Sequence, residues 1–239
     1  MSHSPPPHDR HASFLVLFDI DGTLLSADRS GYFALERAAI EILESPDGLA
    51  GIRLDGNTDS NAIIQICTRD RKPLPNPTVI DRFKQRYVEI LRREIIGKGH
   101  LKPGVGELLQ RLSSRPDVRL GLVTGNIREG AEIKLKRFGL TGFFAFGAFG
   151  CEHPHRSELV GMALRRAEAA AGKAYLPSRV TVVGDTVHDV ASCHPWQVRS
   201  LAVATGSASV QELQSAGANW ALPDLSETDQ VVSLLTCET

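Results

Sequence analysis

The sequence contains little that would indicate a disulfide-bonded, nucleic-acid-binding or membrane protein. Its four cysteines are far apart and form no CxxC pair, a pattern that favours reduced structural thiols. A formal net charge of -1 provides no broad positive field that would attract nucleic acid. The apolar run Phe14–Phe18 is too short for a signal peptide or a membrane span. We therefore expect a cytoplasmic protein with no nucleic-acid and no membrane partner.

What is present is the composition of a globular chain, with 42% hydrophobic and 23% charged residues. The length of 239 residues suits one large α/β domain, or a core domain with a modest insertion. Residues 1–13 are rich in proline and histidine and are predicted to be a disordered leader. We predict a core domain over residues 14–25 and 101–239, and an inserted domain over residues 26–100.

Short apolar runs that end in polar or glycine-rich turns predict buried strands. Helical patterns follow most of these runs, and this alternation predicts an α/β fold with a doubly wound, parallel, Rossmann-like sheet. The predicted strands are residues 14–18, 120–123, 143–146, 180–183, 200–204 and, at an edge, 220–222.

The insertion has a different pattern, with helical periodicity and no convincing strand between Leu24 and His100. It therefore predicts a small α-helical domain placed directly after the first strand. The segment Lys102-Pro103-Gly104 marks the return to the core. The predicted helices are residues 32–43, 61–68 and 79–96 in the insertion, and 105–112, 128–137, 158–171 and 210–216 in the core.

Two aspartates, Asp19 and Asp21, directly follow the first predicted strand. Ligands of doubly wound sheets bind at the carboxyl ends of the strands, and residues two apart on an extended chain point the same way. Two carboxylates at this spacing repel each other unless a cation or a shared proton intervenes, and Mg²⁺ prefers such oxygen ligands. The alternative is an ordinary turn at Gly22 with solvated carboxylates.

The stretch from Asp19 to Thr23, Asp-Ile-Asp-Gly-Thr after an apolar strand, resembles the first motif of the haloacid dehalogenase superfamily. The resemblance implies that Asp19 is the nucleophile and forms an aspartyl-phosphate. It implies that Asp21 protonates the leaving group and then activates water. An aspartate at position 21 also resembles the phosphate-ester members more than the dehalogenases, and Thr23 is assigned to the phosphate-binding residues.

Two later strand ends are suited to binding phosphate and metal. Thr124, Gly125 and Asn126 offer a hydroxyl and backbone N–H groups at a strand-to-helix turn, where phosphate is often bound. Asp185 and Asp189 are four residues apart after the strand at 180–183, so both can face one cation. The alternatives are a simple Thr-Gly turn, and an aspartate that caps a helix.

These segments resemble the second and fourth motifs of the same superfamily. The resemblance implies that Thr124 binds the transferring phosphoryl group. It also implies that Asp185 ligates Mg²⁺ together with Asp19 and the backbone carbonyl of Asp21, with Asp189 supporting the metal site. The motifs occur in the family's order over nearly the whole chain.

The third motif departs from the family pattern, because the familiar Lys-Pro pair is missing. Arg156 stands before an amphipathic helix, where the family's lysine normally falls, and a guanidinium can grip phosphate with two parallel bonds. We therefore assign Arg156 to the catalytic residues, with a solvated surface arginine as the alternative. Lys134, Lys136 and Lys173 are weaker candidates, because helical or loop placement is expected to carry them away from the sheet edge.

The insertion resembles the type 1 helical caps of the superfamily, which close over the site. A cap of this kind favours a small phosphorylated metabolite as the substrate. Gly56-Asn57-Thr58-Asp59 is similar to a turn in phosphoglycolate phosphatase-like members. It predicts that Asp59 caps the following helix and that Asn57 and Thr58 face the substrate, with plain helix capping as the alternative.

The predicted function is a magnesium-dependent phosphomonoesterase with an aspartyl-phosphate intermediate, of the phosphoglycolate phosphatase-like kind. One alternative is a phosphomutase resembling β-phosphoglucomutase. Another is a catalytically silent binding protein on the same fold, against which the three aspartates Asp19, Asp21 and Asp185 argue. The sequence leaves the metabolite and the oligomeric state open.

Overall fold

A six-stranded parallel sheet forms the centre of the molecule in the computed structural model, which describes residues 13–237. The predicted leader lies outside the described residues except for Ser13. The strands are β1 (Phe14–Phe18), β2 (Leu25–Ser26), β3 (His100–Leu101), β4 (Val118–Thr124), β5 (Gly147–Phe149), β6 (Val180–Gly184), β7 (Arg199–Val203) and β8 (Trp220–Leu222). In the sheet the strands lie in the order β5-β4-β1-β6-β7-β8, and a separate two-stranded antiparallel ribbon pairs β2 with β3.

Helices cover both faces of the sheet, and three further helices lie between β2 and β3. This arrangement confirms the predicted α/β fold with a helical cap inserted after the first strand. The helices are α1 (Ser30–Ile42), α2 (Asp59–Arg69), α3 (Pro77–Glu94), α4 (Val105–Ser113), α5 (Arg128–Arg137), α6 (Arg156–Ala171), α7 (Val187–Cys193), α8 (Val210–Ser215) and α9 (Thr228–Thr236).

The side chains of β1 alternate between two apolar cores, as expected for a central strand. Val16 and Phe18 join the core that contains residues of α4, α5 and α9. Leu15 and Leu17 join the core that contains residues of α6 and α7. All five residues of β1 are buried, so the strand fixes the position of the polar residues that follow it.

Most predicted elements are confirmed to within a few residues, with three differences. The strand predicted at 143–146 is wrong: a 3-10 turn covers Thr141–Phe143 and the strand is Gly147–Phe149. Gly121 leaves space there for the Phe146 ring, so this residue packs over β4 before β5 begins. The cap interval does contain strand residues, at its two ends, where β2 and β3 pair. Helices α7 and α9 are present in addition to the predicted helices.

The cap is fastened to the core at the amino end of α2. The Asp59 N–H donates to the Gly125 carbonyl at 2.8 Å, and the Thr58 hydroxyl donates to the Pro154 carbonyl at 2.9 Å. The prediction that Asp59 caps this helix is wrong, because the Thr58 side chain accepts the Asn61 N–H and Asp59 is the first helical residue. The Asp59 carboxylate instead accepts the Ile127 N–H of the core at 2.7 Å.

One apolar core continues from the sheet into the cap. It includes Phe18 of β1 together with Leu35 of α1, Ile66 of α2 and Phe83 of α3. In the described part of the chain, no helix combines the length and the apolar character that crossing a membrane requires.

The return from the cap to the core depends on Gly104, which gives a stability prediction. Gly104 has φ 79°, and a Cβ there would lie 2.0 Å from the Leu225 carbonyl oxygen. Gly139, with φ 70°, has open space around it. Gly139→Ala should lower the free energy of unfolding by about 1 kcal/mol, the cost of a left-handed alanine. Gly104→Ala should cost at least about 2 kcal/mol more, because the backbone must move.

Urea denaturation of the two variants and the wild-type protein measures this difference. Equal losses for the two variants would contradict the tight contact at Gly104.

Candidate active site

Three buried carboxylates meet where β1 and β6 end. Asp19 follows β1, Asp185 follows the neighbouring strand β6, and Asp189 lies in the first turn of α7. One oxygen from each of the three lies within 4.8 Å of the others. The parallel pairing of β1 with β6 brings them to one edge of the sheet, as expected for doubly wound folds.

Two glycines leave the space that the Asp185 carboxylate occupies. A Cβ at Gly22 would lie 2.3 Å from Asp185 Oδ2, and a Cβ at Gly206 would lie 1.7 Å from it. The Thr23 hydroxyl donates to Asp185 Oδ1 at 2.8 Å. Gly22 also has φ 86°, which favours glycine in the turn after Asp21. The Gly-Thr pair of the first motif therefore shapes the site for Asp185.

Arg156, the first residue of α6, supplies the positive charge of this cluster. Its Nη2 lies 2.9 Å from Asp19 Oδ1 and 2.5 Å from Asp189 Oδ1. The same nitrogen donates to the Val123 carbonyl at 3.3 Å. The structure thus places Arg156 beside Asp19. It also corrects the alternative of a solvated arginine, because the residue is only 8% exposed.

The electrostatics of the cluster show an excess of negative charge. Burial raises the pKa of Asp19 to about 6, although Arg156 acts in the opposite direction. Burial, followed by the charges of Asp189 and Asp19, raises the pKa of Asp185 to about 8. Burial acts to lower the pKa of Arg156, but Asp189 and Asp19 outweigh it and the pKa is raised. One guanidinium thus faces three carboxylates.

This excess charge fits a divalent cation. The donors are carboxylate oxygens, which suit hard cations better than transition metals. Asp189 is already held, because its Oδ2 accepts from the Thr186 hydroxyl at 2.6 Å and its Oδ1 faces Arg156. Asp19 and Asp185, by contrast, each have one carboxylate oxygen to which no hydrogen-bond donor is assigned among the described residues. Asp19 and Asp185 could therefore hold a metal directly, with Asp189 close behind them.

Asp21 belongs to a second, separate cluster. Asp21 Oδ2 accepts from Asn126 Nδ2 at 2.7 Å and from Lys134 Nζ at 2.6 Å. Lys134 also donates to Asn126 Oδ1 at 2.6 Å. The expectation that a helical position carries Lys134 away from the sheet edge is wrong, whereas Lys136 and Lys173 are exposed.

A signal for Lys134 was present in the sequence. Helix α5 buries Gly130, Ala131, Lys134 and Leu135, which are the i, i+1, i+4 and i+5 positions of one helical face. A lysine in such a buried stripe requires a carboxylate partner, because an unpaired ammonium is costly to bury. The stripe could have identified Lys134 as a residue facing the site.

The predicted phosphate-binding residues have different environments. Thr124 Oγ1 accepts two hydrogen bonds from Asn126, at 2.7 Å from the side chain and 3.3 Å from the backbone. The Thr58 hydroxyl is used within the protein, as described above, and this residue is buried. Asn57 Oδ1 accepts from the Thr58 N–H at 2.9 Å and from Asn61 Nδ2 at 2.8 Å. Contact of Asn57 and Thr58 with substrate stays a prediction.

A cavity of about 650 Å³ lies between the cap and the sheet edge and joins the two clusters. Its walls combine core residues from the strand ends with cap residues from α1, α3 and the loop before α2. Among them are Asp19, Asp21, Asp185, Lys134, Tyr32 and Asn57. Asp19 and Asp21, the two aspartates of the first motif, therefore both line one half-open cavity.

The chain belongs to the haloacid dehalogenase-like hydrolase family, whose model matches residues 15–194. This assignment identifies it as an enzyme of a hydrolase family, in agreement with the motifs and their placement. Sequence comparison with curated proteins gives no match.

Three solved structures have the same fold, and each alignment covers more than nine-tenths of this chain and of the solved one. A haloacid dehalogenase-like family hydrolase from Streptococcus pneumoniae has 19% identity and a TM-score of 0.62, covering 92% of this chain and 97% of its own. A predicted phosphoglycolate phosphatase from Haemophilus somnus has 18% identity and a TM-score of 0.64, covering 93% and 98%. A candidate β-phosphoglucomutase from Thermotoga maritima has 22% identity and a TM-score of 0.62, covering 92% and 98%.

The raised pKa values give a prediction for the metal-free protein. Asp19 and Asp185 bind protons more tightly in the folded state than at their ordinary value of 3.8. Their contribution to stability is therefore largest below pH 4 and is lost as pH rises through about 6 and 8. A divalent cation needs the deprotonated carboxylates, so its stabilising effect should increase from pH 5.5 to pH 8.

Asp185→Asn is the variant that tests this explanation. In chelator at pH 8 it should raise the free energy of unfolding, on the order of 2 kcal/mol, because a buried charge is removed. It should also lose most of the response to added cation. Urea denaturation at both pH values, with and without Mg²⁺, measures these effects. A variant less stable than wild type in chelator, with the cation response retained, would disprove the explanation.

Proposed function

We propose that this enzyme is a magnesium-dependent phosphomonoesterase that hydrolyses a small phosphorylated metabolite through an aspartyl-phosphate at Asp19. The observation that carries the proposal is the pairing of the Asp19 carboxylate with Arg156 beside Asp185, at the strand edge of a hydrolase-family fold. Carboxylate nucleophiles divide a difficult displacement into two easier steps. Asp19 is the carboxylate best placed for this role, because it faces both the cation site and the cavity.

Magnesium is the metal that we propose for Asp19, Asp185 and the backbone carbonyl of Asp21. Bound there, it would neutralise charge on the phosphate and orient it for attack. Oxygen donors and a compact cluster support Mg²⁺ over softer metals. Asp189 supports the site indirectly, because it holds Arg156 and closes the first turn of α7 through Thr186.

Arg156 and Thr124 are proposed to bind the phosphoryl group. Phosphoryl transfer depends on positioning and charge stabilisation, which a buried guanidinium beside the nucleophile provides. Thr124 Oγ1 accepts two bonds from Asn126, so its own proton remains available for a phosphate oxygen. Thr23 contributes by fixing Asp185, and Gly125 and Asn126 complete the turn.

Asp21 is proposed to protonate the leaving group and then to take a proton from the attacking water. Its side chain is 41% exposed, whereas that of Asp19 is 9% exposed. Partial exposure to the cavity suits a residue that exchanges protons with substrate and water. The two aspartates therefore have different environments although they are two residues apart.

The cap, proposed as residues 26–100, forms one wall of the half-open cavity, and the size of this cavity favours a small substrate. A space of about 650 Å³ between cap and core has the size of a metabolite site. Its closure would exclude bulk water from the transfer step. Phosphoglycolate is the nearest substrate that the family resemblance suggests.

Hydrolysis of p-nitrophenyl phosphate, with and without Mg²⁺, tests the proposal. We expect turnover that requires Mg²⁺, stops in excess chelator and recovers poorly with Ca²⁺. Full activity in excess chelator, or no turnover of any phosphate ester, would contradict it; the second outcome would indicate a silent binding protein. A sugar bisphosphate labelled in one phosphate distinguishes a phosphatase, which releases the label, from a mutase, which returns it to the sugar.

The two aspartates of the first motif should respond differently to substitution. Asp19→Asn should abolish turnover, because the nucleophile is removed. Asp21→Asn should slow turnover of an alkyl phosphate by roughly a hundred- to ten-thousandfold, as expected for lost acid–base catalysis. The loss should be smaller for p-nitrophenyl phosphate, whose leaving group needs no proton. Steady-state kinetics on both substrates measures this, and equal losses would argue against Asp21 as the acid.

Arg156 should affect both catalysis and stability. Arg156→Met should lower kcat/KM by roughly a hundredfold or more, about 2.7 kcal/mol. It should also lower the free energy of unfolding in chelator by about 3 kcal/mol, because carboxylates are left buried and unpaired. Arg156→Lys should recover part of both losses, since the charge returns without the planar fork.

Arg166→Met is the matched control, because Arg166 lies on the same helix but does not line the cavity. Its Nη2 lies 2.7 Å from Glu152 Oε1. Its kcat/KM should stay near that of wild type. A folded Arg156→Met enzyme with wild-type kcat/KM would refute the role proposed for Arg156.

A further inference from the structure

Asp21 has a cation of its own, which the proposed reaction does not use. Lys134 Nζ lies 2.6 Å from Asp21 Oδ2, and Asn126 Nδ2 lies 2.7 Å from the same oxygen. Among the described residues, no donor is assigned to the other oxygen, Oδ1. The two donors therefore fix one edge of the carboxylate and leave the opposite edge open to the cavity.

Lys134 itself is held rigidly for a lysine. The residue is 3% exposed, and its ammonium donates to both Asp21 and Asn126. A surface lysine samples many rotamers, whereas this ammonium is confined by two hydrogen bonds of 2.6 Å. Arg156 pairs with Asp19 and Lys134 pairs with Asp21, so each aspartate of the first motif has its own cation.

The cap supplies the remaining wall around this ammonium. Gly31, in the first turn of α1, is so close that a Cβ there would lie 2.9 Å from Lys134 Nζ and 3.2 Å from its Cε. The Asp59 carboxylate of α2 also interacts electrostatically with Lys134. Lys134 therefore contacts the acid–base residue on one side and the cap on the other.

We propose that Lys134 is a positioning residue for Asp21, and that the cap, through Gly31, keeps its ammonium in place. The ammonium fixes Oδ2 so that Oδ1 points towards the oxygen of the leaving group. Acid–base catalysis requires hydrogen-bond geometry at that oxygen, and a small displacement of a catalytic group costs much of the rate. The inference rests on the proposed phosphatase function and on Asp21 as its acid.

Lys134→Met tests the first part, since methionine keeps most of the length but not the charge. We expect kcat for an alkyl phosphate to fall by roughly ten- to a hundredfold, part of the effect of losing an acid–base group. The loss for p-nitrophenyl phosphate should be several times smaller, with KM nearly unchanged for both. Lys136→Met, at an exposed position of the same helix, is the control and should behave as wild type.

A double variant identifies Asp21 as the residue through which Lys134 acts. In an Asp21→Asn background, Lys134→Met should cause little further loss, because the carboxylate that it positions is already absent. Equal losses on the two substrates, or full additivity with Asp21→Asn, would overturn the proposal. If Asp21→Asn itself shows no dependence on the leaving group, the proposed function fails instead, independently of Lys134.

Gly31→Ala moves the ammonium without replacing it, and it tests the part played by the cap. The new methyl group meets the flexible end of the lysine, so the fold should tolerate it while Nζ is displaced. The variant should reproduce the leaving-group pattern of Lys134→Met, and should add nothing in a Lys134→Met background. Gly106→Ala is the matched control, because Gly106 is also the second residue of a helix and has open space around it.

A Gly31→Ala effect that persists in the Lys134→Met background would show that Gly31 acts through the shape of the cavity and would overturn this part. Circular dichroism and urea denaturation establish that each variant is folded. If Lys134→Met does not fold, the leaving-group pattern of Gly31→Ala decides the proposal: its presence supports positioning and its absence refutes it.

Discussion

Electrostatic repulsion among carboxylates at one edge of the sheet is the constraint on which the rest of the site depends. Asp19 and Asp185 follow adjacent parallel strands, and Asp189 follows four residues later on α7. Burial of these groups raises the pKa values of Asp19 and Asp185 well above the ordinary value. Such a cluster is tolerated only with compensating charge, which Arg156 supplies in part and a divalent cation would complete. The fold thus stores an unfavourable interaction where a charged ligand would relieve it.

Two positively charged side chains, Arg156 and Lys134, each pair with a different aspartate of the site. Arg156 lies with Asp19 where the three carboxylates meet at the sheet edge, and Lys134 lies with Asp21 on the side of the cap. The first pair is nearly sealed from solvent, whereas the side chain of Asp21 is 41% exposed. These different surroundings suit the roles proposed for the two aspartates, because the nucleophile would be held beside the cation and the acid–base residue would exchange protons with solvent. The cavity beneath the cap connects the two sides.

Much of this arrangement could be predicted from the sequence, because strand ends and glycine turns are local features. The predicted strand Phe14–Phe18 agrees with the structure, and Asp19 and Asp185 reach the same edge as parallel topology requires. Predictions that depended on tertiary contacts were poorer. The N-cap of α2 is Thr58, because the carboxylate of Asp59 bonds across to the core. The apolar stripe of α5 indicates that Lys134 faces inward, but its pairing with Asp21 depends on packing between residues distant in the sequence.

The central claim is that Asp19 carries the phosphoryl group, and trapping that intermediate tests it most directly. Acid quench during turnover, borohydride reduction and peptide sequencing by mass spectrometry locate an acyl phosphate, because reduction converts the modified aspartate into homoserine. The account predicts homoserine at position 19, dependent on Mg²⁺ and more abundant in Asp21→Asn, where hydrolysis of the intermediate is slowed. Steady turnover with a phosphoryl group at another residue, or with no covalent intermediate under these conditions, would contradict it.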